Sequence, residues 1–330
     1  MDNLTHGLLG LTIGALRRPD GGPGKNLPFS STDKAVLVAS FVAAELPDLD
    51  NFLPAANPVM HALHAHRGLS HALAFAPVWA LLATALACLI FRGARRLPAF
   101  GFALAAVLFA HIASDLWTGW GTRAWLPFSD ARLSLDITSV VDPFFTLPLI
   151  VAAGWALARR RQWRSALIVG LAISSAYLGF RTVSRAALLD RIERSYPEAG
   201  RVEVFPALLS ASLWRYVAVL PEGYAAGAVP IFGDIREQRR IPFSQPLPEE
   251  LIDNSTVDEA LAWARLPLIS VQESERGSQT VEIADLRYHL GGAPTLSIVI
   301  EVDADGRTID ARLERGGSTA EILERWRSSR

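Results

Sequence analysis

The sequence predicts an all-α, membrane-embedded helical bundle over residues 1–180, followed by a small soluble α+β domain over residues 181–330. Three observations predict it. Half of the 330 residues are hydrophobic and only 20% are charged, too apolar for disorder and high for an ordinary soluble enzyme. The charge is uneven, with residues 1–180 holding 24 of the 65 Asp, Glu, Lys and Arg. Residues 72–91 carry no charge over 20 positions, the length that crosses ~30 Å of hydrocarbon at ~1.5 Å per residue.

Taken in order, the apolar runs 7–16 and 35–44 are too short to span a bilayer and read as half-buried or re-entrant helices. The start MDNLTHGLLG has no basic n-region and is not read as a cleaved signal peptide. Residues 72–91 span. Residues 97–114 form a second run, interrupted by His111 alone. The runs 143–158 and 165–180 are marginal singly and plausible as a hairpin. Arg17, Arg18, Lys25 and Lys34, then Arg92, Arg95 and Arg96, then Arg159, Arg160, Arg161 and Arg164 fill three connections. The positive-inside rule makes these cytoplasmic. Alternation then puts the N-terminal tip, 45–71, 115–142 and the tail on the outer side.

From residue 181 the pattern changes. Arg181–Gly200 reads as a polar helix. Arg201–Phe205, Leu213–Leu220, Thr280–His289 and Thr295–Asp303 read as strands, with Gly291-Gly292 and Asp305-Gly306 as turns and Thr308–Leu313 closing a hairpin. Residues 242–256 read as loop and 257–265 as a short helix.

A net charge of −1 gives no basic field for nucleic acid. The single cysteine, Cys88, excludes an intramolecular disulfide framework and a cysteine-based zinc site. A metal site must therefore use His and carboxylates. Six of the seven histidines lie before residue 112. The predicted topology gathers His6, Asp48, Asp50, His66, His71, His111 and Asp115 near the outer face.

Four blocks carry the chemistry. Leu46-Pro-Asp-Leu-Asp50 ends an apolar helix; in an extended stretch, alternation would aim Asp48 and Asp50 in similar directions. Two carboxylates that close repel unless a cation holds them, and the bland reading is a solvated turn. His66-Arg-Gly-Leu-Ser-His71 precedes the strongest span. Gly68 permits a turn bringing both histidines inward, Arg67 suits phosphate or carboxylate, and Ser70 could cap the next helix. The bland reading there is a basic anchor at the interface. His111-Ile-Ala-Ser-Asp115 puts His and Asp at i, i+4 on one helix face, where both are expensive in a membrane. Imidazole with carboxylate is a zinc ligand set. Asn3-Leu-Thr-His6 adds a lone histidine. His61 and His64 read as loop or supporting residues. Asp142 reads as capping or supporting, and Asp136 is open. Trp117, Trp120 and Trp125 suit a membrane interface.

Together these blocks resemble the signature of the YdjM-type membrane-bound metal-dependent hydrolases, over roughly residues 1–180. That family is in turn similar to zinc-dependent phospholipase C and the P1-type nucleases, helical bundles that cleave phosphodiesters with a cluster of zinc ions. The resemblance implies that fold and metal roles for His6, Asp50, His66, His111 and Asp115. In the soluble relatives a mature N-terminal amine and a tryptophan join the cluster, whereas this chain opens Met1-Asp2.

The expected function is a metal-dependent hydrolase of a lipid or lipid-linked phosphoester at the outer face of the inner membrane. One to three zinc ions, with Mn²⁺ an alternative, would be held by His6, Asp50, His66, His71, His111 and Asp115. Asp48, Asp50 and Arg67 would take catalytic roles, as proton acceptors and as a partner for phosphoryl charge, with His64, Asp136 and Asp142 in support. The competing expectation is a non-catalytic metal site in a sensor, transporter or scaffold. A transporter would need its polar groups near mid-bilayer.

Overall fold

The computed structural model describes residues 1–18, 29–52, 57, 59, 61–159, 161–244, 246–273, 278–290, 292–317 and 321, and of His64 and Glu250 the backbone alone. Lys25, Arg160 and Gly291, and the side chain of His64, lie outside the described residues. The chain forms two compact units. One comprises Met1–Leu53 with Arg67–Ser184; the other comprises Pro54–His66 with Arg185–Arg330.

The first unit is helical. Helices α1 (Asn3–Ala15) and α2 (Ser31–Glu45) form an antiparallel pair. Asp2 caps α1 through the Thr5 amide, and a Ser30–Asp33 capping box starts α2. With 13 and 15 residues, neither is long enough to span. Their packing is set by small residues. Gly7, Gly10 and Gly14 line one side of α1, and a Cβ at Gly10 would sit 2.7 Å from that of Ala44 on α2. Such faces let helix backbones approach closely.

Among the described residues, three helices are long and apolar enough to cross a membrane: Leu73–Ile90, whose α-helical part is α3 (Ala76–Ile90); α4 (Arg96–Leu116); and α6 (Trp163–Ser195). The shorter α5 (Pro143–Ala158) is also apolar. Their faces are arranged inside out relative to a water-soluble bundle. Ala76, Ala80, Ala83 and Ala87 of α3 and Ala99, Ala103, Ala106 and Ala110 of α4 are buried. Leu89 and Leu97, in contrast, are 74% and 80% exposed. Small residues at the contacts and large apolar ones outside are what a lipid surround favours.

The arginine-rich connections gather at one end of this unit. Arg17 pairs with Asp33 at the start of α2, the Arg95 amide donates to Thr32 Oγ1, and Arg164 Nε donates to the Ala15 carbonyl at 2.9 Å. The N-terminus of α1 and the C-terminus of α4 lie at the other end, where His6 and His111 stack with ring centroids 4.2 Å apart.

The second unit is rich in β-sheet rather than evenly α+β. One antiparallel sheet has the order β1 (Arg201–Pro206), β2 (Leu213–Leu220), β3 (Gly223–Pro230), β4 (Arg236–Pro242). Leu188, Ile192 and Tyr196 at the end of α6 pack on its Trp214 and Tyr216 face. A second sheet has the order β10 (Thr308–Glu314), β9 (Ser297–Val302), β6 (Gln279–Asp285), β5 (Pro267–Glu273). A short hairpin pairs β7 (His289–Leu290) with β8 (Ala293–Pro294). Helix α7 (Ser255–Trp263) is capped by Asn254. Strands β3, β4, β5 and β8 are additions to the sequence reading. The run Arg236-Glu-Gln-Arg-Arg240 has no apolar residue and is a strand because β3 pairs with it, not from its own pattern.

Candidate metal centre

Four helix ends deliver five side chains to one buried point. His6 comes from the first turns of α1, and His111 and Asp115 from the last turns of α4. Asp48 comes from the 3-10 turn Leu46–Phe52 after α2, and His71 from the 3-10 turn Leu69–His71 before α3. His111 lies in a π-helical stretch of α4, Ala106–Ile112. That distortion recurs at functional sites. His6, His71, His111 and Asp115 are wholly buried and Asp48 is nearly so.

The imidazole tautomers follow from their partners. His6 Nδ1 lies 2.8 Å from the Ala110 carbonyl, and His111 Nδ1 lies 2.6 Å from the Ala44 carbonyl. A carbonyl only accepts, so both Nδ1 atoms carry the proton and both Nε2 atoms present a lone pair. Among the described residues these Nε2 atoms have no hydrogen-bond partner, and neither does Asp115 Oδ2. They face carboxylates: His6 Nε2 is 3.4 Å from Asp115 Oδ1, and His111 Nε2 is 3.7 Å from Asp48 Oδ1 and 3.9 Å from Asp115 Oδ2. His71 Nε2 completes the ring, 3.2 Å from Asp48 Oδ1 and 3.4 Å from Asp115 Oδ2. Lone pairs converging on carboxylates in a dry interior are costly unless a cation lies between them. Three nitrogens and two carboxylates thus fit a divalent metal.

A supporting layer fixes these donors, as is usual for metal-binding histidines. Asp50 Oδ2 lies 3.4 Å from His71 Nδ1 and accepts from the Ser70 hydroxyl. Trp79 Nε1 donates to the Ser70 carbonyl at 2.7 Å. Arg67, buried and held at φ +57°, donates from Nη2 to Asp115 Oδ1 at 3.0 Å and from Nη1 to Thr118 Oγ1 at 2.9 Å. The Met1 amine also donates to Asp115 Oδ1. Burial alone would push the Asp48 carboxyl up, but the His71 hydrogen bond and neighbouring imidazoles outweigh it and hold it at about 2. For His71, burial lowers the value, and the hydrogen bonds to Asp48 and Asp50 raise it overall.

The chain matches the YdjM inner membrane protein family over residues 1–188. It belongs to that family. It is also similar to the uncharacterised protein YfhP of Bacillus subtilis (strain 168), 24% identical over 234 residues that cover 69% of this chain and 68% of the relative. No solved structure matches it. The YdjM match covers all five converging residues.

Several of the remaining sequence-predicted residues take supporting or capping positions, for identifiable reasons. Asp48 and Asp50 do not point the same way, because the stretch is a 3-10 turn and not extended. At three residues per turn, positions i and i+2 diverge by about 120°. Asp50 therefore faces the outer nitrogen of His71. Ser70 does not cap α3; its hydroxyl is engaged by Asp50. The left-handed residue of the turn is Arg67, not Gly68, and its guanidinium is occupied by Asp115 and Thr118. His66 ends the 54–66 segment, which groups with the second unit. Asp142 caps α5 through the Phe144 and Phe145 amides and accepts from Tyr177. Asp136 is buried at φ +50° beside Ser134, whose hydroxyl also donates to the Thr118 carbonyl. Sequence reasoning missed Thr118, Trp79 and the carbonyls of Ala44 and Ala110. Carbonyls leave no mark in residue identity.

Proposed function

We propose that this YdjM-family protein is a metal-dependent hydrolase of a phosphoester, lipid or lipid-linked, working at the outer boundary of the inner membrane. One observation carries the metal part: two buried imidazole lone pairs, without hydrogen-bond partners among the described residues, lie within 4 Å of the Asp48 and Asp115 carboxylate oxygens. His6, His71, His111, Asp48 and Asp115 would hold the metal. Bound there, a zinc or manganese ion supplies polarisation of a phosphoryl oxygen and of water.

The chain's own residues prepare that chemistry. Asp48 stays ionised through ordinary pH and keeps the site anionic enough to retain a dication. Asp50 orients His71. Arg67 holds Asp115 in one rotamer and brings a fixed positive charge against the cluster, suited to offsetting charge on phosphoryl oxygens. Placement supports the lipid reading, because the donors sit at helix ends on the side away from the arginine-rich connections. By the positive-inside rule that side is the outer one. The likeness to phospholipase C and the P1-type nucleases belongs to this reading and rests on the motifs.

A second reading is a structural metal site, favoured by the burial of all five donors; catalytic sites keep a position open. The test is phosphate or head-group release from phospholipid and lipid-linked phosphoester vesicles by metal-loaded protein. Turnover that disappears in Asp48→Asn supports the hydrolase. Bound metal with no turnover on any phosphoester, and no loss of fold on metal removal, would refute it; no turnover with unfolding on metal removal would establish the structural site.

A further inference from the structure

We infer that the second unit carries a binding site for a small oxyanion of phosphate type, in the cavity between the β1–β4 sheet and Leu286, His289, Leu290 and Gly292. This does not depend on the metal centre. The cavity measures about 60 Å³, room for roughly four to six waters at 10–15 Å³ each. That suits an oxyanion rather than a nucleotide. Its floor is open because β3 contributes only Ala226, Gly227 and Ala228 there. Register sets Arg215 of β2 opposite Ala228 and Arg239 of β4 opposite Ala226, so both guanidinium groups border the space left by the alanines.

No carboxylate pairs directly with the arginines of this cavity among the described residues. Arg215 donates to the carbonyls of Leu286 (2.8 Å) and Arg287 (3.2 Å), and Arg239 donates to the Gly292 carbonyl. Among the described residues neither forms an ion pair. Asp285, whose charge Arg215 feels, is committed to Arg287 and to the Arg265 amide. Glu237 of β4 is taken by Tyr196 and Arg240. A third basic group, His289, lines the same cavity with its Nε2 buried and, among the described residues, without a partner. Burial, then the charge of Arg215, holds that imidazole down at about 4. Two fixed positive charges, Arg215 in the cavity and Arg239 at its rim, beside a buried nitrogen with no partner among the described residues call for an anion. Two arginines favour a dianion over a carboxylate.

The test is calorimetric titration of detergent-purified, chelator-treated full-length protein with sodium phosphate at fixed ionic strength. Saturable binding to one site is expected. Arg239→Ala, at the exposed rim where folding is not at stake, should weaken it by roughly ten- to a hundredfold, the loss of one charge-assisted contact. Arg215→Met should abolish it. Glycerol phosphate binding as phosphate does would assign a free ligand. Capture by phosphatidic acid vesicles that Arg239→Ala abolishes would assign a lipid head group. No saturable binding of phosphate, glycerol phosphate or vesicles by the wild type would overturn the inference. So would binding that Arg239→Ala and Arg215→Met leave intact, or that His111→Ala abolishes.

Discussion

Replacing Asp50 by Asn separates a metal ligand from the residue that orients it. Asp50 Oδ2 lies 3.4 Å from His71 Nδ1, while His71 Nε2 faces Asp48 and Asp115 at 3.2 and 3.4 Å. Asparagine keeps the size and can still accept from Nδ1, but it removes the negative charge that makes the imidazole a better donor. Carboxylate partners of metal-binding histidines contribute roughly ten- to a hundredfold in affinity, or about 1.4–2.7 kcal/mol. Metal Kd should therefore rise by that factor in Asp50→Asn, measured by competition with a chelating dye in detergent. In His111→Ala, which removes a donor outright, retention should fall below detection. An unchanged Kd in Asp50→Asn would refute the supporting role. A loss as complete as that of His111→Ala would instead make Asp50 a ligand.

Three further outcomes follow from the geometry. Gly10→Leu should force α1 off α2, where even a Cβ lies 2.7 Å from Ala44, costing about 1–3 kcal/mol or more by overpacking. It should lower the melting temperature and the metal affinity together, whereas Gly101→Leu, with nothing within 4 Å of its Cβ, should do neither. Arg67→Lys should destabilise by about 1–3 kcal/mol in a detergent melt, because lysine cannot hold both Asp115 and Thr118; a wild-type melt would refute that anchoring. His289 is held down at about 4 from an ordinary 6.5, so the unfolded chain binds the proton first as pH falls. Its contribution is complete above about pH 6.5 and is lost as pH falls towards about 4, at most ~3 kcal/mol and nearer ~2 after allowing for partial exposure. The stability difference between wild type and His289→Gln should shrink by that amount between pH 7 and pH 4.5, and parallel curves would contradict it.

Much of the first unit was legible because membrane physics writes itself into composition. The uncharged run 72–91 and the arginine clusters give spans and ends without any tertiary information. The pair His111 and Asp115 was legible from helical spacing alone. The direction of Asp50 was not, because Leu46-Pro-Asp-Leu-Asp50 is equally compatible with an extended stretch and a 3-10 turn. Only the tertiary placement of His71 shows which carboxylate faces inward. In the second unit, β2 announced itself through Leu213–Leu220, whereas β4 did not. Its polar side chains sit on a strand with few buried positions, so neither alternation nor apolar content marks it. The cavity near Arg215 was equally hidden, since it depends on Ala226 and Ala228 lying in register with two arginines from other strands.

The central claim is that five converging side chains hold a metal, and elemental analysis of detergent-purified protein tests it most directly. Wild type should carry at least one zinc or manganese ion per chain, as isolated or after reconstitution. His111→Ala and Asp115→Ala should carry none while still partitioning into the membrane fraction. Metal retained in both variants, or absent from wild type after reconstitution with zinc and with manganese, would contradict the account.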